Sequence, residues 1–176
     1  MQPVARIDTA RLWMRPWTDG DVDALHQLWL DPDVRKYLWD DRVVTRQEAE
    51  HMVRDCIASV PTHGFGMWAI MMQGADTLIG FAGFRPFGDS EAELMYGLAP
   101  HHWGHGLGAE AVHATLQHGF TVHRFRRVTG ITDVPNVASA RLMERVGMTF
   151  DKRAMHHGLD CVFYTAAPTT FSAHQF

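Results

Sequence analysis

The sequence predicts a mixed α/β (α+β) domain: a mostly antiparallel central sheet with helices on both faces. Three observations predict it. After "PTHGFG" the apolar period changes to two, and "GMWAIMM", "TLIGFAGFRPF" and "EAELMYGLAP" follow one another, separated by "QGAD" and "GDS" turns. That is the pattern of an antiparallel meander. Two amphipathic helices precede it, and strand and helix candidates alternate after it before a closing pair of strands. The predicted order is β-α-α-β-β-β-α-β-α-β-β.

Each element has its own local reason. "ARLWMRPW" (10–17) reads as the first strand, with Leu12 and Met14 on one face and Trp13 on the other. "DGDVDALHQLWLD" reads as a helix capped by Thr18 or Asp19, with Val22, Leu25, Leu28 and Trp29 at helical spacing. Thr45 and Glu48 form a capping-box pair ahead of Ala49, Met52, Val53 and Ile57, so a second helix starts there. Beyond the meander come a helix over about 106–122, a strand "RRVTGITD" (126–133) and a helix "NVASARLMERVG" (136–147). The strands "MTFDKRAM" and "LDCVFYTA" close the order.

A chain of 176 residues, 46% apolar and 20% charged, has the length and composition of one globular domain with a full core. We place that domain at 1–168 and expect residues 169–176 to fray as a tail. A net charge of −4 without a cluster of Lys and Arg predicts no nucleic-acid partner. The longest dense apolar run, "FGMWAIMM", is far too short to span a bilayer, and the N-terminal stretch lacks a signal-peptide core. Cys56 and Cys161 form no disulfide pattern. These features predict a cytoplasmic protein with no membrane partner.

The chemistry concentrates in "PHHWGHGLGAEA" (100–111), where Gly104, Gly106 and Gly108 occupy alternate positions at the start of a helix. A helix N-terminus offers unpaired N–H groups and the positive end of the macrodipole, and glycines let a pyrophosphate approach them. A tight turn with no ligand is the plainer reading of the same stretch. "GHGLGA" also satisfies a dinucleotide fingerprint through Gly104, Gly106 and Ala109, with Asp133 at a later strand end. Three strands of meander precede it, however, and too little chain follows for a second mononucleotide half. His101, His102 and His105, with His156 and His157, lack a Cys or carboxylate at ligand spacing, so no metal is expected.

"YGLAPHHWGHGLGAEA" (96–111) followed by "NVASARLMERVGM" (136–148) resembles the GNAT superfamily of N-acetyltransferases. It is most similar to the branch of ribosomal-protein N-terminal acetyltransferases, with its Trp-Gly-x-Gly-Leu, Asn-x-x-Ser and Glu-x-x-Gly segments. The element order matches over nearly the whole chain. The resemblance implies a co-substrate, acetyl-CoA, whose pyrophosphate lies on the backbone of Trp103, Gly104, His105, Gly106, Leu107, Gly108 and Ala109. The His105 ring would add a partial charge there. Leu98 would pair its backbone with the pantetheine arm in a slot where "ELMYGLA" and "VTGITD" part, and Asn136 would meet the end of that arm. Asn136 is also a good helix N-cap. Trp103 stands where the wider superfamily has Gln or Arg, as is usual in the resembled branch.

Acyl transfer to an amine needs the amine deprotonated and the oxyanion met by donors. The resemblance implies Glu93 as the base and a backbone N–H near Leu98 for the oxyanion; the plainer reading of Glu93 is a strand carboxylate paired with Arg85. Many relatives carry a Tyr where this chain has Met143, so Ser139 becomes the expected donor to the leaving thiolate, with Tyr96 and Tyr164 behind it. Ser139 can equally bond its own helix backbone. In the connection "LDPDVRKYLWDD" between the two helices, Asp31, Asp33, Asp40 and Asp41 beside Tyr37 and Trp39 are candidates for holding a cationic amine, as are His156, His157 and Asp160; a solvated charged loop is the plainer reading of both groups. The expected activity is acetyl transfer from acetyl-CoA to a primary amine, a protein N-terminus or a small molecule, in a ternary complex. A non-catalytic acyl-CoA sensor, supported by Met143 alone, and a dinucleotide-binding protein are the alternatives. A homodimer through the C-terminal strands is expected from the same family.

Overall fold

The computed structural model describes residues 5–88 and 91–171. It contains one eight-stranded sheet. In chain order the elements are β1 (Ile7–Asp8), β2 (Leu12–Pro16), α1 (Val22–Leu30), α2 (Pro32–Leu38) and α3 (Arg46–His63). Then follow β3 (Met67–Met72), β4 (Leu78–Phe87), β5 (Glu91–Leu98), α4 (Leu107–Thr121), β6 (Val128–Asp133), α5 (Val137–Arg145), β7 (Thr149–His156) and β8 (Leu159–Ala166). The spatial order is β1-β2-β3-β4-β5-β6-β8-β7, antiparallel everywhere except between β5 and β6.

The expected mixed sheet is present with two additional elements. β1 is a two-residue strand ahead of the predicted first one. The segment read as a charged interhelix connection is the helix α2. Its start follows from Asp31 as N-cap, whose carboxylate accepts from Asp33 N–H at 2.9 Å, and from Pro32 at the first helical position. The Thr45–Glu48 capping box forms at the head of α3, and backbone and side-chain bonds from Thr45 and Arg42 hold the Glu48 carboxyl down at about 2. Asp21, expected only as part of a helix start, accepts from Thr18 N–H and forms a two-pronged ion pair with Arg15. Of the expected tail, residues 172–176 lie outside the described residues, whereas Phe171 packs on His113 and Phe120 of α4.

Two apolar clusters lie on opposite faces of the sheet. One gathers Leu12, Met14, Trp68, Phe84 and Leu94 under α4 and α5; the other gathers Trp17, Leu25, Trp29, Val53 and Phe81 under α1 and α3. Strand alternation divides β5 between them. Ala92, Leu94 and Leu98 face α4, while Met95 faces the α1–α3 side. The β5–β6 ladder pairs Ala92 with Val128, Glu93 with Thr129 and Leu94 with Gly130, and stops there. Beyond that point the two strands diverge toward their C-terminal ends.

Candidate active site

The divergence of β5 and β6 opens a cavity of about 580 Å³. Its lining includes Leu94, Ala111 and Val112 from one apolar cluster and Val34 and Phe81 from the other, so it passes through the sheet rather than lying on one face. Antiparallel geometry sets what β5 offers to it. Ala99 N–H donates to the Ile79 carbonyl at 2.8 Å, so Gly80–Leu98 and Ala82–Tyr96 are the non-hydrogen-bonded pairs of the β4–β5 ladder. The backbone groups of Tyr96 and Leu98 therefore turn toward β6, where no partner strand runs opposite. Trp103 Nε1–H donates to the Leu98 carbonyl at 2.7 Å, which leaves the Leu98 N–H directed to the slot.

The glycine stretch forms one end. A short 3-10 turn (Pro100–His102) leads to Gly104 and Gly106, both at φ 76°, a left-handed conformation that disfavours any side chain. Gly106 is the N-cap of α4, so the first N–H groups of that fifteen-residue helix face outward from bare backbone. A Cβ at Gly106 would lie 3.5 Å from Arg11 Nη2 and 3.9 Å from Arg145 Nη2. Two guanidinium groups thus stand beside the loop, and Arg141 and Arg145 both line the cavity. This is an anion cradle: helix N-terminus, left-handed glycines and fixed positive charge at one place.

The cradle is tied down from behind. Glu110 in the first turn of α4 accepts from Thr9 Oγ1 at 2.7 Å, Arg11 N–H at 2.9 Å and Arg11 Nε at 2.6 Å. Burial works against its charge, but these donors outweigh it and hold the carboxyl below the usual range. Arg11 Nη1 then donates to the His105 carbonyl at 2.9 Å, fixing the loop backbone.

At the other end of the slot, Asn136 caps α5 and its Oδ1 accepts from Ser139 N–H at 3.3 Å. Ser139 Oγ lies 2.6 Å from Tyr96 Oη, and Tyr96 Oη–H also reaches the Ser139 carbonyl at 3.2 Å. Burial pushes the Tyr96 phenol up to about 12. The two hydroxyls therefore sit as a pair in the wall where β5 meets the N-terminus of α5. Tyr37 of α2 closes over this region, its hydroxyl donating to the Pro135 carbonyl at 3.3 Å.

Of the residues expected from sequence, Leu98, Trp103, Gly104, Gly106, Gly108, Ala109, Asn136 and Ser139 line this one cavity. Leu107 and His105 are not part of the lining: the Leu107 side chain is buried in the core and the His105 residue is exposed. Glu93 is also outside the lining. Its carboxylate is buried and accepts from Arg85 Nε and Nη2 at 2.7 and 2.9 Å, across the β4–β5 ladder. Met143 faces the core, 1% exposed, so position 143 offers nothing to the slot. Tyr164 donates to Glu144 at 2.8 Å and is buried.

The acidic candidates disperse. Asp31 caps α2, Asp41 pairs with Arg35 at 3.0 Å, and Asp160 pairs with Arg153, leaving Asp33 and Tyr37 as the members of those groups that reach the cavity. Among the described residues, no three His, Cys, Asp or Glu side chains are grouped to hold a metal ion, and no helix is long and apolar enough to cross a membrane. Sequence reasoning missed Arg141 and Arg145. Their i, i+4 spacing places them on one helix face, which is visible in the sequence, but which face meets the slot is not.

Comparison with known proteins agrees with this geometry. The family model of the acetyltransferase (GNAT) domain matches residues 11–149. The chain is 29% identical over 150 residues to the uncharacterized N-acetyltransferase p20 of Bacillus licheniformis, covering 84% of this chain and 83% of that one. It is 26% identical over 143 residues to the uncharacterized N-acetyltransferase YoaA of Bacillus subtilis, covering 80% and 81%. Among solved structures, a GNAT-family acetyltransferase from Bacillus anthracis superposes with a TM-score of 0.79 at 25% identity, covering 93% of this chain and 98% of that one. RimL, a ribosomal L7/L12 α-N-protein acetyltransferase solved with coenzyme A, superposes with a TM-score of 0.80 at 23% identity, covering 93% and 98%; this is a likeness of fold. A sheet split between β5 and β6, a glycine-capped α4 facing the split, and a family match over most of the length lead to one conclusion: the chain belongs to the GNAT acetyltransferase family.

Proposed function

We propose that the protein transfers an acetyl group from acetyl-CoA to a primary amine. The observation that carries this reading is the Gly104–Gly106 cradle at the head of α4, open to a slot that leads to the Tyr96–Ser139 hydroxyl pair. The residues fit the co-substrate. The N-terminal N–H groups of α4 and the Arg145 guanidinium suit a pyrophosphate. The slot-facing backbone of Tyr96 suits an extended amide-bearing arm, which would add to β5 as a strand does, and the Leu98 N–H, its carbonyl being held by Trp103, is left for the thioester.

In the reaction, the amine nitrogen bonds to the thioester carbonyl carbon, the carbon–sulfur bond breaks, and the electron pair of that bond leaves on sulfur. The Leu98 N–H is the backbone donor proposed for the developing oxyanion. Ser139 Oγ–H is proposed to donate to the departing sulfur. Neither hydroxyl gives up its proton: burial pushes the Tyr96 phenol up to about 12, and the Ser139 hydroxyl is a weaker acid still, so Ser139 acts on the sulfur as a hydrogen-bond donor only. The part of Tyr96 is to hold the Ser139 hydroxyl in place, and the proton shed by the amine balances the thiolate.

Glu93 has a different part in this proposal from the base expected of it. Its ion pair with Arg85 would have to open before it took a proton, and it stands outside the cavity lining. We assign it to fixing β4 against β5, with the amine entering in its neutral form. The exposed edge strand β7, where Phe150 and Met155 are 58% and 67% exposed, supports pairing between two copies of the chain; a solution mass of one protomer by light scattering would argue against it.

The test is a thermal-shift comparison of acetyl-CoA, CoA and NADH. A ligand at 100 times its Kd stabilises by about 2.7 kcal/mol, a shift of about 5–10 °C for a domain of this size. A shift with the CoA forms and none with NADH is expected; a shift with NADH alone overturns the reading.

A further inference from the structure

The acceptor side of the cavity has a chemistry of its own. Its walls are Val34, Tyr37 and Leu38 of α2, Phe81 of β4, and Met95 and Gly97 of β5. Phe81 is the centre of that wall. It lies opposite Gly97 in the β4–β5 register, and a Cβ at Gly97 would come within 2.9 Å of its Cε1, so the ring covers the place a side chain would fill. Trp17 and Trp29 back it, with ring centroids 5.7 and 6.3 Å away, and Trp39 packs on Trp29 at 5.3 Å. The wall is an aromatic cluster held from behind by buried indoles, and it offers a preformed apolar surface.

Charge points the same way. Among the described residues, the lining carries one carboxylate, Asp33, against Lys36, Arg141 and Arg145. Arg145 stands beside the phosphate cradle, and Arg141 lies one turn back along α5, so α5 brings only positive charge to the lining. That leaves Asp33 and Lys36 on α2, opposite in sign and both exposed. The lining itself offers a polycation no net negative charge, and the polycation would lose hydration against Tyr37, Leu38 and Met95 without compensation. Glu93, the nearest buried carboxylate on β5, is already neutralised by Arg85.

Resting on the acetyl-transfer reading, we infer that the acceptor is a primary amine carrying an apolar, preferentially aromatic, group, and that polyamines and aminoglycosides are excluded. The apolar group seats on Tyr37, Leu38 and Met95, with the buried Phe81 ring behind them, and the amine points through the slot toward Ser139. Such an amine needs no carboxylate to guide it. If it is an α-amine, with a pKa of about 7.7–8.0, a substantial fraction is already neutral near pH 7.5. A free arylalkylamine and a peptide N-terminus beginning with an apolar residue share the apolar group next to a primary amine, the former mostly as its ammonium at this pH.

The experiment follows CoA thiol release by the full chain with acetyl-CoA and four acceptors: 2-phenylethylamine, a phenylalanine-initiated tripeptide, spermidine and kanamycin. At least one apolar probe is expected to exceed both polycations by tenfold or more in kcat/KM. The arm that wins, free amine or peptide, identifies the source. Equal or better turnover of spermidine or kanamycin overturns the inference. So does absence of turnover with both apolar probes while acetyl-CoA still raises Tm. Absence of any shift with acetyl-CoA overturns the acetyl-transfer reading and this inference with it. Leu38→Asp supplies a second check: the apolar advantage should fall by about tenfold while the acetyl-CoA shift is retained, and an unchanged advantage counts against the assigned wall.

Discussion

The hydroxyls of Tyr96 and Ser139 lie 2.6 Å apart, one carried by β5 at the point where its ladder with β6 has ended and the other by the first turn of α5. Neither element places a hydroxyl in the slot alone. Burial keeps the Tyr96 phenol protonated, and at this separation the pair is proposed to act by hydrogen bonding. Ser139→Ala removes the donor to sulfur and is expected to lower kcat by about 10- to 100-fold, the range of a hydrogen bond to a charged group. Tyr96→Phe is expected to cost less, and the double variant little more than Ser139→Ala, since the two act as one unit. Steady-state thiol release measures all three; additive losses would show that they act separately.

The cradle makes a prediction about affinity. Arg145→Ala is expected to raise the Kd of acetyl-CoA by about 5- to 30-fold, as for loss of a charge-assisted contact to phosphate worth about 1–2 kcal/mol. Gly106→Val places a branched side chain at φ 76° and is expected to destabilise the fold by about 1–2 kcal/mol in addition to weakening binding. Calorimetric titration and thermal melts separate the two effects.

Glu110 links stability to pH through the cradle's rear support. Its folded-state carboxyl is depressed, so its contribution is fully present above its ordinary value of 4.5 and is lost as pH falls through the folded value. Glu110→Gln is expected to destabilise by about 1–3 kcal/mol at pH 7. The gap to the unmodified protein should begin to narrow as pH falls below 4.5 and close only below the depressed folded value, where both side chains are neutral. A series of denaturant melts from pH 7 downward checks this.

His123 acts in the same direction over a window that opens at higher pH. Burial, with His118 adding to it, lowers its value from 6.5 to about 4. The unfolded chain therefore takes up a proton that the folded one resists, and stability is expected to fall as pH drops from 6.5 toward 4. His118 is depressed by burial as well, and its ring stands 5.0 Å from that of His123. Replacing both with Phe should flatten the melting temperature over that interval. An unchanged slope would place its source elsewhere.

Much of this was legible in the sequence because the signals are local. The Thr45–Glu48 box, the glycines at the head of α4 and Asn136 as an N-cap all act within a few residues of themselves. α2 was legible in principle, since Asp31-Pro32 is a helix-start signal, but the surrounding charges read as a solvated loop. What depends on register was not legible. The Glu93–Arg85 pair is the plainer reading of the Glu93 carboxylate, and it forms; what the sequence leaves open between that pair and a base is decided by the β4–β5 register, which sets Arg85 opposite Glu93. The Tyr96–Ser139 pair and the Arg141–Arg145 edge require knowing how α5 sits across the split sheet, and no local pattern encodes that.

The most direct test of the central claim is a crystal structure of the protein with CoA. The account predicts the pyrophosphate on the N–H groups between Gly104 and Ala109, the arm between β5 and β6, and the sulfur beside Ser139. CoA bound on any other face, with the slot between Leu98 and Asn136 empty, would contradict it.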